Sequence, residues 1–151
     1  ATTIWELWNG DSADPAMNSG NHVMLVGDLV IWLYERLAGI MADSDEPGFK
    51  HIIMRPTPLK DLTVVRATHK SPHGPIESAW KQTAGRFEWD IRVPVNSRAT
   101  VYVPAKNADE VMESGTSARN AAGVRYVRTE GSSAVLEVAS GVYHFTSQLP
   151  D

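Results

Sequence analysis

The chain has 151 residues, of which 42% are hydrophobic and 21% are charged, proportions typical of a globular protein and far from those of disordered or collagen-like chains. Its formal net charge is -4, with 14 basic and 18 acidic residues scattered along the sequence, which argues against nucleic acid as a partner. The absence of cysteine excludes disulfides and thiolate metal sites but leaves the cellular compartment undetermined.

The first 20 residues place one carboxylate between two indoles, in the run Ile4-Trp5-Glu6-Leu7-Trp8. An indole face stacks on the apolar face of a sugar ring, and a nearby carboxylate can move a proton, so the run favours a carbohydrate site. The alternation of an extended chain directs Glu6 away from Trp5, and we therefore expect Trp5 and Trp8 to be partly structural. Taken alone, the run is more often a half-buried structural segment.

A helix is predicted from Asn21 to Gly39, with Asn18, Ser19 or Asn21 as the N-cap and Gly39 just after the C-terminus. Its apolar residues surround most of the axis, so the helix is expected to have neighbours on several sides. Trp32 is predicted to be a core residue. If those neighbours are missing, we expect the helix to expose apolar surface or the chain to dimerise through it.

The composition shifts between Met41 and Gly48, and we place a domain boundary there, with domains at 1–42 and 43–151. The second domain reads as roughly nine short strands separated by turns, which predicts an antiparallel β-sandwich of jelly-roll type. The clearest strand is 86–93, where Phe87, Trp89, Ile91 and Val93 alternate with charged residues and should line a buried face. Residues 76–82, including Trp80, are predicted to pair with it in a meander.

No motif points to a cofactor or a metal. The histidines of the β region are dispersed, without the spacing of a transition-metal site, and the chain lacks a phosphate-binding loop and a nucleophile elbow. Neither a targeting segment nor a membrane span is predicted, since Gly27 and Asp28 interrupt the longest apolar runs. The start at Ala1, close to the Trp-Glu motif, suggests the tail of a longer polypeptide.

Taken together, several motifs resemble the C-terminal end of bacterial α-L-rhamnosidases of the inverting type, from Thr2 to about Val103. The resemblance implies an α/α barrel whose last helix is followed by a β-sandwich. The matching runs are Thr2-Thr3-Ile4-Trp5-Glu6, Met17-Asn18-Ser19-Gly20-Asn21-His22, Gly48-Phe49-Lys50-His51-Ile52-Ile53-Met54-Arg55-Pro56 and Ser71-Pro72-His73-Gly74-Pro75-Ile76-Glu77-Ser78-Ala79-Trp80.

The resemblance also implies roles for individual residues. Glu6 matches the general base that activates water, and His22 matches the histidine that contacts the sugar, with Trp5 and Trp8 as further substrate-binding candidates. The general acid would lie upstream, so this chain alone is expected to be inactive, with rhamnosides and the N-terminal remainder as partners. Leu7 and Asn9 depart from the Arg and Asp that the family commonly has after its Trp-Glu pair.

Two alternatives of other classes stay open. The sandwich is a carbohydrate-binding module if Tyr102, Tyr126 and Tyr143 share an exposed flat face. The chain is an interaction domain if its apolar helix docks on a partner.

Overall fold

The computed structural model describes residues 4–9, 12, 14, 16 and 19–150. The chain divides into two compact units, Ala1–Leu33 and Tyr34–Asp151. The proposed N-cap Asn18 lies outside the described residues, as do Thr2, Thr3 and Met17 of the resembling motifs.

The helix of the first unit is shorter than predicted. Helix α1 spans Leu25–Trp32 and continues as a π-helical turn over Leu33–Leu37. Its N-cap is Met24, without a side-chain capping bond, and the predicted cap Ser19 instead accepts a hydrogen bond from the Asn21 backbone N–H. Hydrogen bonds between residues three apart, from Val26 N to Val23 O and from Gly27 N to Met24 O, form 3₁₀-type turns at the start of the helix.

The helix is exposed over its whole length in this chain. Every described residue from Val23 to Tyr34 is solvent-exposed, including Leu29 at 50% and Ile31 at 54%. Trp32, predicted to be core, is 42% exposed. The predicted exposure of apolar helix surface is therefore confirmed, and the core assignment of Trp32 does not hold within this chain.

The second unit is a sandwich of two sheets. One has the strand order β1-β2-β6-β10-β9, in which only the β2–β6 pair is parallel, and the other has the order β3-β4-β5-β11-β7-β8. The strands are β1 Ile40–Ala42, β2 His51–Met54, β3 Val64–Ser71, β4 Gly74–Thr83, β5 Arg86–Val93, β6 Arg98–Pro104, β7 Met112–Glu113, β8 Thr116–Ser117, β9 Val124–Glu130, β10 Ser133–Val138 and β11 Gly141–Gln148, with a 3₁₀ turn at Ala108–Glu110.

The predicted meander and its buried face are confirmed. Strands β3, β4 and β5 pair antiparallel in sequence order, and Phe87 and Trp89 of β5 are 0% exposed. Trp80 on β4 lies opposite Trp89 and is also buried. Sequence patterning did not predict the short strands β1 and β8.

The segment that leaves the helix is fastened to the sandwich by its carbonyl groups. Four consecutive residues, Arg36 to Gly39, accept hydrogen bonds there, and all four donors lie in β4 or just after β2. These bonds are Thr57 N to Arg36 O (2.8 Å), Trp80 Nε1 to Leu37 O (2.9 Å), Ser78 Oγ to Ala38 O (2.6 Å) and Arg55 N to Gly39 O (2.9 Å). The helix-end carbonyls, which no intrahelical N–H reaches, are thereby satisfied.

Ser78 is the centre of this anchor. Its hydroxyl donates to Ala38 O and accepts from Trp89 Nε1 at 2.9 Å, and the side chain is 0% exposed. Both buried indole N–H groups thus have partners, and among the described residues no buried side-chain polar atom is left unsatisfied. The anchor is a pair of buried hydrogen bonds centred on Ser78 inside an aromatic core.

Gly39 is required by this junction, and replacing it should be costly. It adopts φ +75°, and an added Cβ would lie 2.3 Å from Pro56 N and 2.4 Å from Arg55 C, both backbone atoms. We expect Gly39→Ala to lower the free energy of unfolding by about 3 kcal/mol or more, measured by chemical denaturation.

Gly115→Ala is the matched control, because Gly115 has φ +83° but an added Cβ would meet nothing within 4 Å. Its cost should be only the backbone term of about 1–2 kcal/mol. Equal losses for the two variants would show that the collision with the 55–56 backbone is unimportant.

The turn between β4 and β5 carries removable strain. Ala84 has φ +49° and Gly85 has φ +80°, the signs of a type I′ turn, in which Asn-Gly is favoured over Ala-Gly. We expect Ala84→Asn to raise the free energy of unfolding by about 0.5–1 kcal/mol and Ala84→Val to lower it. Thermal or urea unfolding of the two variants checks this, and a destabilised Asn variant would contradict it.

Candidate functional site

The Trp-Glu run and the Asn-His run form a short paired framework in the first unit. Glu6 N donates to Ser19 O at 3.1 Å, and His22 N donates to Ile4 O at 2.6 Å. These bonds join the 4–6 stretch to the 19–22 stretch directly before the helix. Two motifs that are separate in sequence thereby become neighbours.

The Glu6 carboxylate is held by one of its oxygens. Oε2 accepts a hydrogen bond from Ser19 N at 2.8 Å, while Oε1 has no hydrogen-bond partner among the described residues. The side chain is 41% exposed, so water can reach it. A carboxylate oriented through one oxygen and open at the other has the geometry of a proton acceptor.

His22 lies beside this carboxylate. Its Nδ1 is 3.8 Å from Glu6 Oε2, too long for a hydrogen bond but within ion-pair distance if the ring is protonated. The imidazole is 25% exposed, and the His22 carbonyl accepts from Leu25 N at the start of the helix. The structure thus brings together the two principal site residues predicted from the sequence.

The two indoles differ in exposure. Trp5 is half-buried, whereas Trp8 is fully exposed, at 104%. An exposed indole face is available for stacking on a ring. Ser19, whose backbone N–H orients Glu6, was not predicted as a site residue, because no residue type marks a backbone donor in sequence.

A second constellation lies in the sandwich, where His51 joins Asp43 to Thr100. His51 Nδ1 is 2.6 Å from Asp43 Oδ2, and His51 Nε2 is 2.9 Å from Thr100 Oγ1. A hydrogen bond from the Asp45 backbone N–H, helped by His51, holds the pKa of Asp43 below its ordinary value. The order Asp–His–Thr resembles the catalytic triad of some hydrolases. Thr100, however, lies within β6, where it pairs with both neighbouring strands, β2 and β10. We interpret it as a brace for the loop between β1 and β2.

The three tyrosines of the binding-module alternative do not share a flat face. Tyr143 is 7% exposed, and burial raises the pKa of its hydroxyl. Tyr102 pairs with Val135 and Tyr126 with Leu136, so the two rings lie on opposite faces of one sheet. Guanidinium groups cover them, Arg55 at 4.5 Å from the Tyr102 ring centroid and Arg119 at 3.6 Å from that of Tyr126. These three tyrosines therefore do not form the exposed flat face that the carbohydrate-binding-module alternative requires.

Among the described residues, no cluster of three or more His, Asp or Glu side chains is arranged to hold a metal ion. The described helical segments are also too short or too polar for any of them to cross a membrane.

Two family models together match almost all of residues 1–118. The model of the bacterial α-L-rhamnosidase C-terminal domain matches residues 39–118, and that of the bacterial α-L-rhamnosidase 6 hairpin glycosidase domain matches residues 1–37. The chain belongs to the bacterial α-L-rhamnosidase family. The change of model at 37–39 falls on the anchored segment, while the predicted domain boundary at 42/43 stays a prediction.

Relatives in this α-L-rhamnosidase family align over almost all of the chain. An α-L-rhamnosidase of Streptomyces avermitilis is 37% identical over 97% of this chain, and one of Formosa agariphila is 29% identical over 98%. These alignments therefore extend beyond Val103. The chain spans only 14% and 16% of the lengths of these relatives.

Solved structures give the same result. The α-L-rhamnosidase of Streptomyces avermitilis complexed with L-rhamnose matches with a TM-score of 0.81 and 36% identity, over 97% of this chain and 14% of that one. That of Dictyoglumus thermophilum matches with a TM-score of 0.78 and 34% identity, over 98% of this chain and 16% of that one. The predicted family and the predicted mainly β fold are both confirmed.

Proposed function

We propose that this chain is the C-terminal part of an inverting α-L-rhamnosidase and that Glu6 is its general base. The proposal is carried by the Glu6–His22 framework, in which a carboxylate is oriented by Ser19 N and left open at Oε1. The relatives named above are α-L-rhamnosidases, and one of them was solved with L-rhamnose. The substrate class proposed here is accordingly a terminal α-L-rhamnoside.

In this mechanism Glu6 Oε1 removes a proton from a water molecule as the water attacks the anomeric carbon from the face opposite the leaving group. The Ser19 N–H keeps Oε2 occupied, so the carboxylate presents one oxygen in a fixed direction. The general acid of an inverting pair lies about 6.5–9.5 Å from the base, and we propose that the upstream part of the enzyme supplies it.

His22 and the indoles would position the sugar. The His22 ring, 25% exposed and next to Glu6, can hydrogen-bond a sugar hydroxyl without leaving the framework. Trp8, with its exposed ring, can stack on a C–H face, while half-buried Trp5 contributes less free surface. We propose that residues 1–42 complete a catalytic barrel and that 43–151 serve it structurally.

Replacing the base tests the proposal. In the full-length enzyme we expect Glu6→Gln to lower kcat by about 10²–10⁴-fold, because the proton acceptor is lost while the shape is kept. The assay is hydrolysis of an aryl α-L-rhamnoside, with the first-formed anomer identified by NMR.

Glu110→Gln is the control for this experiment, since Glu110 is exposed in the 3₁₀ turn of the sandwich. It should leave kcat unchanged. Near-wild-type hydrolysis by Glu6→Gln would remove Glu6 from the mechanism, and a first product with retained configuration would exclude inversion.

We also propose that the exposed helix makes the isolated chain self-associate. The apolar residues from Val23 to Tyr34 are all exposed, and a surface of this kind is normally covered by a partner. In the full-length enzyme the upstream barrel would cover it.

Self-association should be visible by sedimentation equilibrium as a mass that rises with concentration. Introducing charge with Leu29→Glu and Ile31→Glu, residues that are about half exposed, should return the chain to a monomer. A monodisperse unmodified monomer at all concentrations would contradict the proposal.

A further inference from the structure

A groove of ≈ 780 Å³ lies in the sandwich, where several turns and strand ends meet. It is formed by the segment after β2, the β4–β5 turn, the end of β6, the β9–β10 turn and the residues after β11. It lies wholly within the second unit. Neither the family resemblance nor the proposed mechanism uses it.

The walls of this groove are held by hydrogen bonds within the fold. The Gln82 side-chain amide donates to Leu59 O at 2.6 Å and to Leu62 O at 2.5 Å, which fixes the loop that carries Lys60 against β4. On the other sides, Leu149 N donates to Gly85 O at 2.7 Å, and Ala105 N donates to Ser132 O at 2.9 Å. The groove is therefore preorganised, which lowers the entropy cost of binding a ligand.

Hydroxyl groups and one cation dominate the polar lining. Among the described residues, none of the hydroxyl groups that line the groove has a hydrogen-bond partner, and the Lys60 ammonium has no hydrogen-bond or ion-pair partner. No carboxylate of the described residues lines the groove. The five hydroxyl-bearing residues are Thr57, Thr63, Thr83, Ser132 and Ser133. Proline rings, among them Pro56 and Pro150, supply apolar C–H surface between them.

We propose that this groove is a saccharide-binding site that prefers an acidic sugar. Unpaired hydroxyls that both donate and accept match the hydroxyls of a sugar, and proline rings match its C–H faces. Lys60 is the only ionisable lining residue among those described, so its ammonium would attract a uronate carboxylate. Because none of the described lining residues is aromatic, the affinity should be in the range of weak glycan binding.

A saccharide fits these observations better than a peptide does. A peptide recognised by strand addition needs a free sheet edge, whereas the groove is formed by turns and strand ends. Within the part of the chain that the structure describes, the lining also offers no carboxylate to a basic peptide. The inference does not depend on Glu6 and goes beyond the proposed hydrolysis.

The test uses trigalacturonate as the probe and its methyl ester as the neutral counterpart of the same shape. Titration of the ¹⁵N-labelled chain should shift the amides of Thr83, Gly85, Ser132 and Ser133 with the acid, and more weakly with the ester. Salt should weaken binding of the acid and leave that of the ester unchanged.

Lys60→Met should weaken binding of the acid by about threefold or more, as expected for loss of an exposed charge pair, and should abolish the preference over the ester. Thr83→Val, which removes one hydroxyl at constant shape, should weaken both probes. Lys70→Met is the matched control, because Lys70 lies on the edge strand β3, does not line the groove and should not affect either probe.

Equal binding of acid and ester by the unmodified chain would overturn the acidic preference. The absence of groove shifts with both probes, or shifts that survive both groove variants, would overturn the site. Glu6→Gln should leave the titration unchanged, so failure here and failure of the proposed hydrolysis are separate outcomes.

Discussion

The structure depends on the hydrogen-bonded capture of one short segment, Arg36 to Gly39, by the sandwich. The last carbonyls of a helix need donors from outside it, and β4 and the chain after β2 supply them. The Ser78 hydroxyl donates to Ala38 O and accepts from Trp89 Nε1, so one side chain is hydrogen-bonded both to the segment after the helix and to the aromatic core. Breaking one member leaves a buried donor or acceptor unpaired, which is more costly than the bond itself is worth.

The anchor explains why Ser78 and Trp80 stand together in the run from Ser71 to Trp80. In β4, Ile76, Ser78 and Trp80 all face the core, and the two polar members use their donors on the helix exit. Gly39 completes the junction, since the close approach of the 55–56 backbone leaves no room for a side chain. Two residues of this motif thus bind the segment from Arg36 to Gly39.

The candidate site, unlike the anchor, is assembled from loops. The residue types at Glu6 and His22 identify candidates, but their proximity comes from backbone pairing between the 4–6 and 19–22 stretches. A carboxylate with one oxygen held and the other open to water suits proton abstraction in a way that an unrestrained surface glutamate does not. The helix that follows exposes apolar residues along its whole length, as expected of an element that packs against further structure.

What the sequence by itself determined is the family, the mainly β fold and the periodic core. Period-two alternation fixes which face of β5 is buried, and it did so correctly for Phe87, Trp89, Ile91 and Val93. Only the tertiary structure decided the late helix start at Leu25, the strands β1 and β8, the Ser19 contact to Glu6 and the His51 brace. The Ser19 contact, the β1–β2 pairing and the His51–Thr100 bond join residues far apart in the chain, and local periodicity carries no information about such partners.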